Sequence, residues 1–443
     1  MSERARRFFA FWRANGTAAI VRLVRTKLAA MVAGEPVLNE IRPQSKLSAD
    51  VTELMLRRFP NIQPLPTCLA PRPKLGRVSL VTDSIGKGSL FGGVGTALIF
   101  AAQVANRTSS TLRIVVRTEA PASKNVAQVL DAYAIKLNHE IQFSFVPVGK
   151  SEGFSASEAA EKSLDIFPDE LFITTSWWTT AAALPSVPRA SIFYLLQEDE
   201  RMFYPFGEER AQCERVLRTQ DIRFIVNTRL LYEHLIDSGL EHLRENGRWF
   251  EPAFPRSLFH ERTRVSGGRK RFFFYARPNN PRNLFLLGLA VIDRAVNEGV
   301  LDLDQWEVLL VGKDIPGVTL GDGNNPQRCE ELDWQAYADL VGTIDLGLSL
   351  MYTPHPSYPP LDLAASGAVV VTNKFGNKQD LFDYSRNIIC ADLDVESLVQ
   401  ALREGVALAN AMETRRRNYS ASALGTDWSL AFDETFDLFT SSV

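Results

Sequence analysis

The chain has 443 residues, of which 45% are hydrophobic and 23% charged, and its formal net charge is −3. This length exceeds what one hydrophobic core usually serves, so we expect two domains with appendages in an ordinary globular protein. The balanced charge argues against a dedicated nucleic-acid binder, because neutralising a phosphate backbone needs a concentrated basic face.

Residues 1–30 differ from the rest because they are basic and aromatic. Seven arginines or lysines stand against one acid, Glu3, and phenylalanines and Trp12 lie between them. One interpretation is an interfacial helix that places its aromatic rings among lipid headgroups while the arginines meet anionic lipid. The other is a helix packed on its own protein. Both stay open.

A proline-rich stretch from Pro60 to Pro73 is typical of an extended connector, so residues 1–75 are predicted to be a helical extension plus connector. Strand-like and helix-like runs then alternate up to residue 262, which is typical of a parallel sheet covered on both faces. We predict strands at 78–83, 112–118, 141–148, 171–176, 191–197 and 223–227, and helices at 95–105, 125–137, 158–165, 208–217 and 230–240.

A loosely patterned segment around 254–268 predicts an interdomain hinge, after which the alternation restarts and continues to residue 424. Strands are predicted at 272–276, 308–311, 345–350, 369–372 and 388–390, and helices at 283–297, 335–340, 361–365 and 395–412. The fold class is therefore α/β, with two Rossmann-like, doubly wound domains (76–262 and 263–424) facing each other across a cleft. Residues 425–443 are apolar at helical spacing and predict a helix that packs back on the N-terminal domain.

The four cysteines lie far apart, without a Cys-x-x-Cys pair or a histidine cluster, which argues against a zinc site or a disulfide scaffold. The sequence begins without a secretion signal and has no apolar run near the roughly 20 residues that span a bilayer. We therefore expect a cytoplasmic protein. Two Asp-x-Asp strings, at 302–304 and 392–394, lack the further oxygen ligands of a metal site, so we predict no metal.

A glycine-rich segment follows the first predicted strand of the N-terminal domain. It runs from Gly86 through Gly92-Gly93 to Gly95, directly before a helix. Glycines let a backbone approach a ligand closely, and a helix N-terminus offers free N–H groups to a phosphate. A tight strand-to-helix turn needs glycine anyway, so the motif alone is weak.

Two arginines follow the first predicted strand of the C-terminal domain. Arg277 stands at the carboxyl end of the strand, and Arg282 stands at the start of the next helix. A cation there opposes the helix dipole unless it meets an anion. Two guanidiniums on one loop can clasp a diphosphate and stabilise charge that develops on it. The alternative is two solvated surface arginines.

A proline-rich segment, 354–367, precedes a buried-type strand and crowds polar groups where an α/β ligand should lie. It contains His355, Ser357, Tyr358 and Asp362. Taken singly, His355 could be a solvated loop histidine, and Asp362 an acid that favours the helix dipole. Their shared position at a strand end favours ligand binding.

The order of these C-terminal motifs resembles the donor domain of glycosyltransferase family 4. The order is Arg277, Arg282-Asn283, Val311-Gly312, and then an acid before Ala-Ala-x-Gly-x-Val-Val. Segment 354–367 and the N-domain segment 194–205 resemble the WsaF-type rhamnosyltransferases. The likeness spans roughly residues 76–440 and implies a GT-B fold.

The resemblance implies roles for the candidate residues, without a cofactor. Arg277 and Arg282 would hold the donor diphosphate, Asp362 would hydrogen-bond the nucleotide ribose, and Gly92-Gly93 would face the phosphates. The family usually has two glutamates eight residues apart; here the second is Asp362, whose side chain is about 1.5 Å shorter, and the first is Pro354. We therefore predict that His355 supplies the missing contact to the donor sugar.

The N-terminal domain would bind the acceptor, a glycan or lipid-linked glycan, through an aromatic pair and neighbouring acids. We predict Trp177, Trp178, Asp199 and Glu200 for this role, with core packing as the alternative for the tryptophans. The implied reaction is retaining transfer of a deoxyhexose, L-rhamnose from dTDP-rhamnose, to a bacterial polysaccharide or O-antigen. Two alternatives stay open, a GT-B nucleotide-sugar epimerase and a catalytically silent donor- or glycan-binding subunit. The cytoplasmic location could include the inner face of the plasma membrane, reached through residues 1–30.

Overall fold

The computed structural model describes residues 50–86, 90–148, 163–262, 268–321 and 323–440. The chain divides into two compact units, residues 1–60 and 61–443. In the first unit, helix α1 (Val51–Arg58) is capped by Asp50, whose carboxylate accepts a 2.7 Å hydrogen bond from the Glu53 N–H. The basic aromatic segment, residues 1–30, lies outside the described residues. Within the described ranges, no helix combines the length and apolarity needed to cross a bilayer.

The N-terminal domain is built on a seven-stranded parallel sheet in the order β4-β3-β2-β6-β7-β8-β9, with a separate parallel pair, β1 and β5. Its strands are β1 (Thr67–Leu69), β2 (Arg77–Thr82), β3 (Thr111–Val116), β4 (Gln142–Phe145), β5 (Leu164–Ile166), β6 (Leu171–Thr174), β7 (Ile192–Leu196), β8 (Arg223–Asn227) and β9 (Gly247–Phe250). Its helices are α2 (Gly95–Arg107), α3 (Ser123–Ala132), α4 (Trp177–Ala183), α5 (Glu208–Leu217), α6 (Arg229–Asp237) and α7 (Leu243–Asn246).

The C-terminal domain has a six-stranded parallel sheet in the order β12-β11-β10-β13-β14-β15. Its strands are β10 (Lys270–Ala276), β11 (Trp306–Gly312), β12 (Gln327–Glu330), β13 (Leu346–Leu348), β14 (Val369–Asn373) and β15 (Ile388–Ala391). Its helices are α8 (Phe285–Asn297), α9 (Trp334–Val341), α10 (Tyr358–Ala365), α11 (Val395–Asn410) and α12 (Met412–Ser420).

Both sheets are buried on their two faces, because successive strand side chains alternate between faces. In β2, Leu80 belongs to one hydrophobic cluster and Val81 to another. In β10, Phe272 and Phe273 divide in the same way. The prediction of two doubly wound parallel-sheet domains is confirmed.

The predicted connector differs from the structure, because residues 61–75 are part of the N-terminal domain. Leu65 is buried in that domain's core, and its N–H donates to the Ala182 carbonyl at 3.2 Å. Strand β1 pairs with β5, which occupies the end of the helix predicted at 158–165. The remainder of that predicted helix, 158–162, lies outside the described residues.

The chain passes from one hydrophobic core to the other at the start of the predicted hinge. Ala253 packs in an N-domain cluster and Phe254 in a C-domain cluster. The Phe254 N–H donates to the Gly425 carbonyl at 2.7 Å, where the chain returns. Residues 263–267 of the predicted hinge lie outside the described residues.

The C-terminal segment forms three short helical pieces where one helix is predicted. They are α13 (Trp428–Ala431), a 3₁₀ turn (Asp433–Thr435) and α14 (Asp437–Thr440). Trp428 and Phe432 pack in the N-domain core, with the Phe432 ring 4.9 Å from that of Phe100. The last segment therefore lies on the N-terminal domain.

Candidate functional site

A cavity of about 780 Å³ lies where strands of both sheets end. It meets the chain after β2 at Asp83, after β6 at Thr175, after β10 at Arg277 and at the end of β11 at Gly312. The carboxyl ends of parallel strands are where α/β folds hold ligands. The predicted site residues that line it are Gly92, Gly93, Trp178, Glu200, Arg277, Arg282, His355, Ser357, Tyr358 and Asp362.

The glycine loop contributes its backbone to the cavity wall. Gly92 has φ +74°, a left-handed conformation that favours glycine, within a π-helical turn (Leu90–Val94) leading into α2. A Cβ on Gly93 would lie 3.1 Å from Gln197 Nε2. That amide donates to the Gly93 carbonyl at 2.7 Å, and Gln197 Oε1 has no partner. The loop is therefore fixed against β7 with little space for side chains.

Arg277 is positioned by a close approach between β10 and β11. A Cβ on Gly312 would lie 1.8 Å from the Ala276 carbonyl oxygen, so a larger residue would displace the segment that carries Arg277. The Arg277 guanidinium makes a long hydrogen bond of 3.4 Å to the Tyr275 hydroxyl. Among the described residues it has no carboxylate partner within salt-bridge distance. Its charge is available to an anion in the cavity.

Arg282 is contacted by the N-terminal domain. It lies in a 3₁₀ turn (Pro281–Asn283), with its guanidinium 4.2 Å from the centroid of the Phe203 ring. Its Nη1 is 3.5 Å from Glu198 Oε2, within ion-pair distance but without an aligned hydrogen bond. Glu198 also accepts a hydrogen bond from the Thr353 hydroxyl. Glu198 stands beside the candidate Asp199 in the sequence, but no sequence pattern distinguishes it as a site residue.

His355 and Ser357 present two buried polar atoms without partners. Burial lowers the pKa of His355 to about 4, so its ring is neutral at pH 7. Nδ1 accepts a 2.9 Å hydrogen bond from the Ser357 N–H, which assigns the proton to Nε2. Neither His355 Nε2 nor Ser357 Oγ has a partner within the part of the chain that the structure describes. Leaving such groups unsatisfied costs about 1–3 kcal/mol each, which is typical of a site that a ligand completes.

A buried lysine lies behind this segment. Lys378 is fully buried, and its Nζ is 3.4 Å from the His355 carbonyl oxygen. Burial lowers its pKa to about 8. Burial and the charge of Lys378 both lower the pKa of His355. No sequence pattern identified it, because it lies 23 residues downstream of His355 in a separate turn.

Asp362 lies on α10 with its carboxyl group buried against the cavity. Burial raises its pKa to about 8, although the Tyr337 hydroxyl donates to Oδ2 at 3.0 Å. The group is therefore mostly protonated at pH 7. It can exchange hydrogen bonds with a hydroxyl-bearing ligand, which the predicted ribose contact would need.

Tyr358 serves the interface between the two domains as well as the cavity wall. Its hydroxyl lies 2.6 Å from Thr96 Oγ1 and accepts from Asn227 Nδ2 at 3.0 Å. Both partners belong to the N-terminal domain and are buried. The hydroxyl is thus used by an interdomain contact, and the ring lines the cavity.

Replacing Tyr358 by phenylalanine is expected to lower the free energy of unfolding by about 1–3 kcal/mol, because Thr96 and Asn227 lose a partner in a buried place. Urea denaturation should show a lower midpoint at an unchanged slope. Tyr352→Phe is the control; the Tyr352 side chain is 49% exposed, so its loss should stay within about 0.5 kcal/mol. Equal midpoints for both variants would contradict the interdomain contact.

Two predicted acceptor residues, Trp177 and Asp199, do not line the cavity. Trp177 is buried and donates from Nε1 to the Tyr204 hydroxyl at 2.9 Å. Asp199 pairs with Arg201 at 2.7 Å. Burial alone would raise the Asp199 pKa, but hydrogen bonds from His234 and Arg201 lower it to about 2. Both predictions are corrected, because these side chains are satisfied within the N-terminal domain.

Their neighbours Trp178 and Glu200 do line the cavity. Burial raises the pKa of Glu200 to about 8, although its carboxylate accepts from the Trp177 N–H at 2.9 Å. Trp178 donates from Nε1 to Asp83. Burial raises the pKa of Asp83 to about 6, against the lowering effects of Trp178 and Arg117. Asp83 was missed by the sequence analysis.

The two Asp-x-Asp strings have local structural roles. Asp302 Oδ1 accepts from the Asp304 N–H at 3.0 Å, and Asp394 caps α11 by accepting from the Ser397 N–H at 2.8 Å. Across the described residues, no group of three or more His, Cys, Asp or Glu side chains is arranged to hold a metal ion.

Solved structures with this architecture include sucrose-phosphate synthase from Thermosynechococcus elongatus (TM-score 0.58, 13% identity, covering 83% of this chain and 100% of that one). HepE from Anabaena in complex with UDP-glucose is similar at TM-score 0.57 and 13% identity, with 83% and 100% covered. WaaG, a glycosyltransferase involved in lipopolysaccharide biosynthesis, is similar at TM-score 0.56 and 13% identity, with 82% and 100% covered. The two parallel-sheet domains and the cleft between them define a glycosyltransferase fold of the GT-B class.

The family follows from the sequence comparisons. Residues 77–229 match the model of the WsaF N-terminal domain, and residues 270–403 match the model of the WsaF C-terminal domain. The two domains of the chain therefore belong to the WsaF family. It is also 32% identical, over 267 residues, to the O-antigen biosynthesis protein RfbC of Myxococcus xanthus. That match covers 60% of this chain and 20% of RfbC, so the chain spans about one fifth of that relative.

Proposed function

We propose that this protein transfers a deoxyhexose, L-rhamnose from dTDP-L-rhamnose, to a bacterial polysaccharide or O-antigen acceptor with retention of anomeric configuration. The observation that carries the proposal is the cavity between the domains, which Arg277 and Arg282 line together with His355 and Ser357, whose Nε2 and Oγ have no partner among the described residues. The sugar and the nucleotide come from the resemblance of segments 194–205 and 354–367 to rhamnosyltransferases. RfbC supports the class of acceptor.

The two arginines supply the charge that a donor diphosphate needs. Arg277 has no carboxylate partner in the described ranges, and Arg282 has a loose one, Glu198, at 3.5 Å. A diphosphate would replace Glu198 as the anion that Arg282 contacts. As the glycosyl bond breaks, negative charge grows on the leaving diphosphate, and guanidiniums already in place stabilise it without reorganising.

His355 is proposed to contact the donor sugar, in place of the carboxylate that Pro354 cannot provide. Its neutral ring has an Nε2 N–H without a partner, and the residue lines the cavity. A sugar hydroxyl would accept this hydrogen bond. Acceptor attack in such a site relies on positioning, with the departing diphosphate taking the proton of the acceptor hydroxyl.

A thermal-shift screen tests the donor. Both dTDP and dTDP-rhamnose should raise the melting temperature, whereas UDP-glucose and GDP-mannose at the same concentration should not, because a ligand that binds only the native state stabilises it. At a concentration 100 times its Kd, the stabilisation is about 2.7 kcal/mol. In His355→Ala, dTDP-rhamnose should bind no more tightly than dTDP.

Two results would contradict the proposal. Stabilisation by UDP or GDP sugars alone would overturn the choice of nucleotide, and an undiminished preference of His355→Ala for dTDP-rhamnose over dTDP would overturn the sugar contact. Product analysis then separates the reactions. A transferase forms glycoside only when acceptor is present, an epimerase converts donor without acceptor, and a silent binding subunit leaves the donor intact.

A further inference from the structure

The N-terminal wall of the cavity carries a hydrogen-bond acceptor, Asp83, to which the donor contacts proposed above assign no role. Asp83 follows β2, and the Trp178 indole N–H donates to its Oδ2. Its other oxygen, Oδ1, is buried and has no partner among the residues that the structure describes. A carboxylate held by one oxygen and open at the other is completed by a ligand that donates a hydrogen bond.

Trp178 is held firmly by the start of α4. Ser176 and Thr179 form a capping box at this N-terminus, which fixes the first turn of the helix. The Trp178 ring meets that of Trp177 edge to face, with 5.7 Å between the centroids. Trp178 is half-buried and lines the cavity, so part of its surface remains accessible.

The charge of Arg117 lowers the pKa of Asp83, but Arg117 donates its hydrogen bonds to other groups. Its guanidinium is 1% exposed and donates to the backbone carbonyls of Asn61 at 3.1 Å and Gln63 at 2.7 Å. Arg117 therefore stabilises the ionised form of Asp83 through its charge, without donating a hydrogen bond to Oδ1.

The charges of the two cavity walls differ. The described lining residues of the N-terminal domain include three carboxyl groups, Asp83, Glu198 and Glu200, and no basic side chain. The C-terminal lining has three cations, Arg277, Arg282 and Lys313, beside Glu331 and Asp362. A phosphate would be attracted to the cations of the C-terminal wall, and beside Asp83 it would meet a like charge, which is unfavourable in a cleft. An uncharged ligand rich in hydroxyl groups therefore fits beside Asp83 better than a phosphate does.

We infer that Asp83 and Trp178 form the acceptor subsite and that it takes an uncharged sugar ring, with a hydroxyl donating to Asp83 Oδ1 and the ring against the indole. This inference rests on the proposed function, which supplies a donor on the opposite wall. A sugar offers the hydroxyl donors and the apolar C–H face that a carboxylate beside an aromatic ring can bind. An acceptor that presents a phosphate at this place is disfavoured by the charge of Asp83.

Saturation-transfer NMR titrations on the full chain test the subsite, with dTDP added to occupy the arginines. The probes are methyl α-L-rhamnopyranoside, methyl α-D-mannopyranoside and α-D-mannose 1-phosphate. The two methyl glycosides should bind, and the phosphate should bind at least tenfold more weakly than the methyl mannoside. Asp83→Ala should raise the glycoside Kd by about tenfold to a hundredfold, because a hydrogen bond to a charged group is lost.

Asp83→Asn keeps the shape of the side chain and the contact with Trp178, so it tests the role of the charge even if the alanine variant fails to fold. It should raise the glycoside Kd less than Asp83→Ala does. Asp221→Ala is the control, since Asp221 is an acid on the same domain with a side chain 57% exposed. Unchanged glycoside binding in both Asp83 variants, tighter binding of the phosphate, or no glycoside binding at all would overturn the inference. Failure of dTDP to bind would instead overturn the proposed function, while the glycoside titrations still report on Asp83.

Discussion

Replacing Arg277 by alanine is expected to lower transferase turnover by at least two orders of magnitude while the protein still folds. Arg277 is half-buried at the end of β10, and its guanidinium lines the cavity without a carboxylate partner. Removing one preorganised donor to a developing negative charge costs about a hundredfold to a thousandfold in rate. The fold should survive, because the side-chain hydrogen bond that Arg277 makes within the described residues, to Tyr275, is a long one of 3.4 Å.

Initial rates with dTDP-rhamnose and acceptor measure this effect, and circular dichroism checks the fold. Arg277→Lys should fall between wild type and alanine, because an ammonium keeps the charge but not the bidentate geometry. Arg403→Ala is the matched control in the same domain, since Arg403 is 53% exposed and pairs with Glu298 at 3.3 Å on the surface. A near-normal rate in Arg277→Ala would remove Arg277 from the reaction.

The two sheets could be predicted because each central strand is an apolar run bounded by turn residues. The run predicted at 223–227 is β8 unchanged, and that at 208–217 is helix α5. Strands β1 and β5 were missed because each has three residues, too few to show a period. Helix α4 was missed because it begins inside an apolar aromatic run, Trp177-Trp178, that follows β6 directly.

Site residues could be predicted where they directly follow a strand. They could not be predicted where they depend on a contact between residues far apart in the sequence. Arg277 could be placed because it follows an obvious strand. Asp83 is likewise a polar residue at the end of a predicted strand, 78–83, so its position in the sequence was sufficient to make it a candidate. Tyr337 could not be found, because its bond to Asp362 joins residues 25 apart on different helices.

Asp362 is expected to make the free energy of unfolding of the protein fall as pH rises. Its pKa is about 8 in the native protein against an ordinary 3.8, because burial disfavours the charged form. Between these values the native state keeps a proton that the unfolded state has lost. The Asp362 contribution is therefore fully present below about pH 4 and is lost as pH rises toward 8. Each pH unit in that window lowers the free energy of unfolding by up to about 1.4 kcal/mol.

Urea denaturation at pH 5, 6 and 7 should accordingly show a steeper fall in the wild type than in Asp362→Asn, which cannot titrate. Subtracting the two series is necessary because burial also raises the pKa of Glu200 to about 8 and that of Asp83 to about 6, which act in the same direction. Asp304→Asn, at an exposed acid of the same domain, should parallel the wild type. Parallel series for wild type and Asp362→Asn would mean that the native carboxyl is already ionised at neutral pH. The ribose would then meet a charged acceptor, and the hydrogen bond from Tyr337 would outweigh the effect of burial.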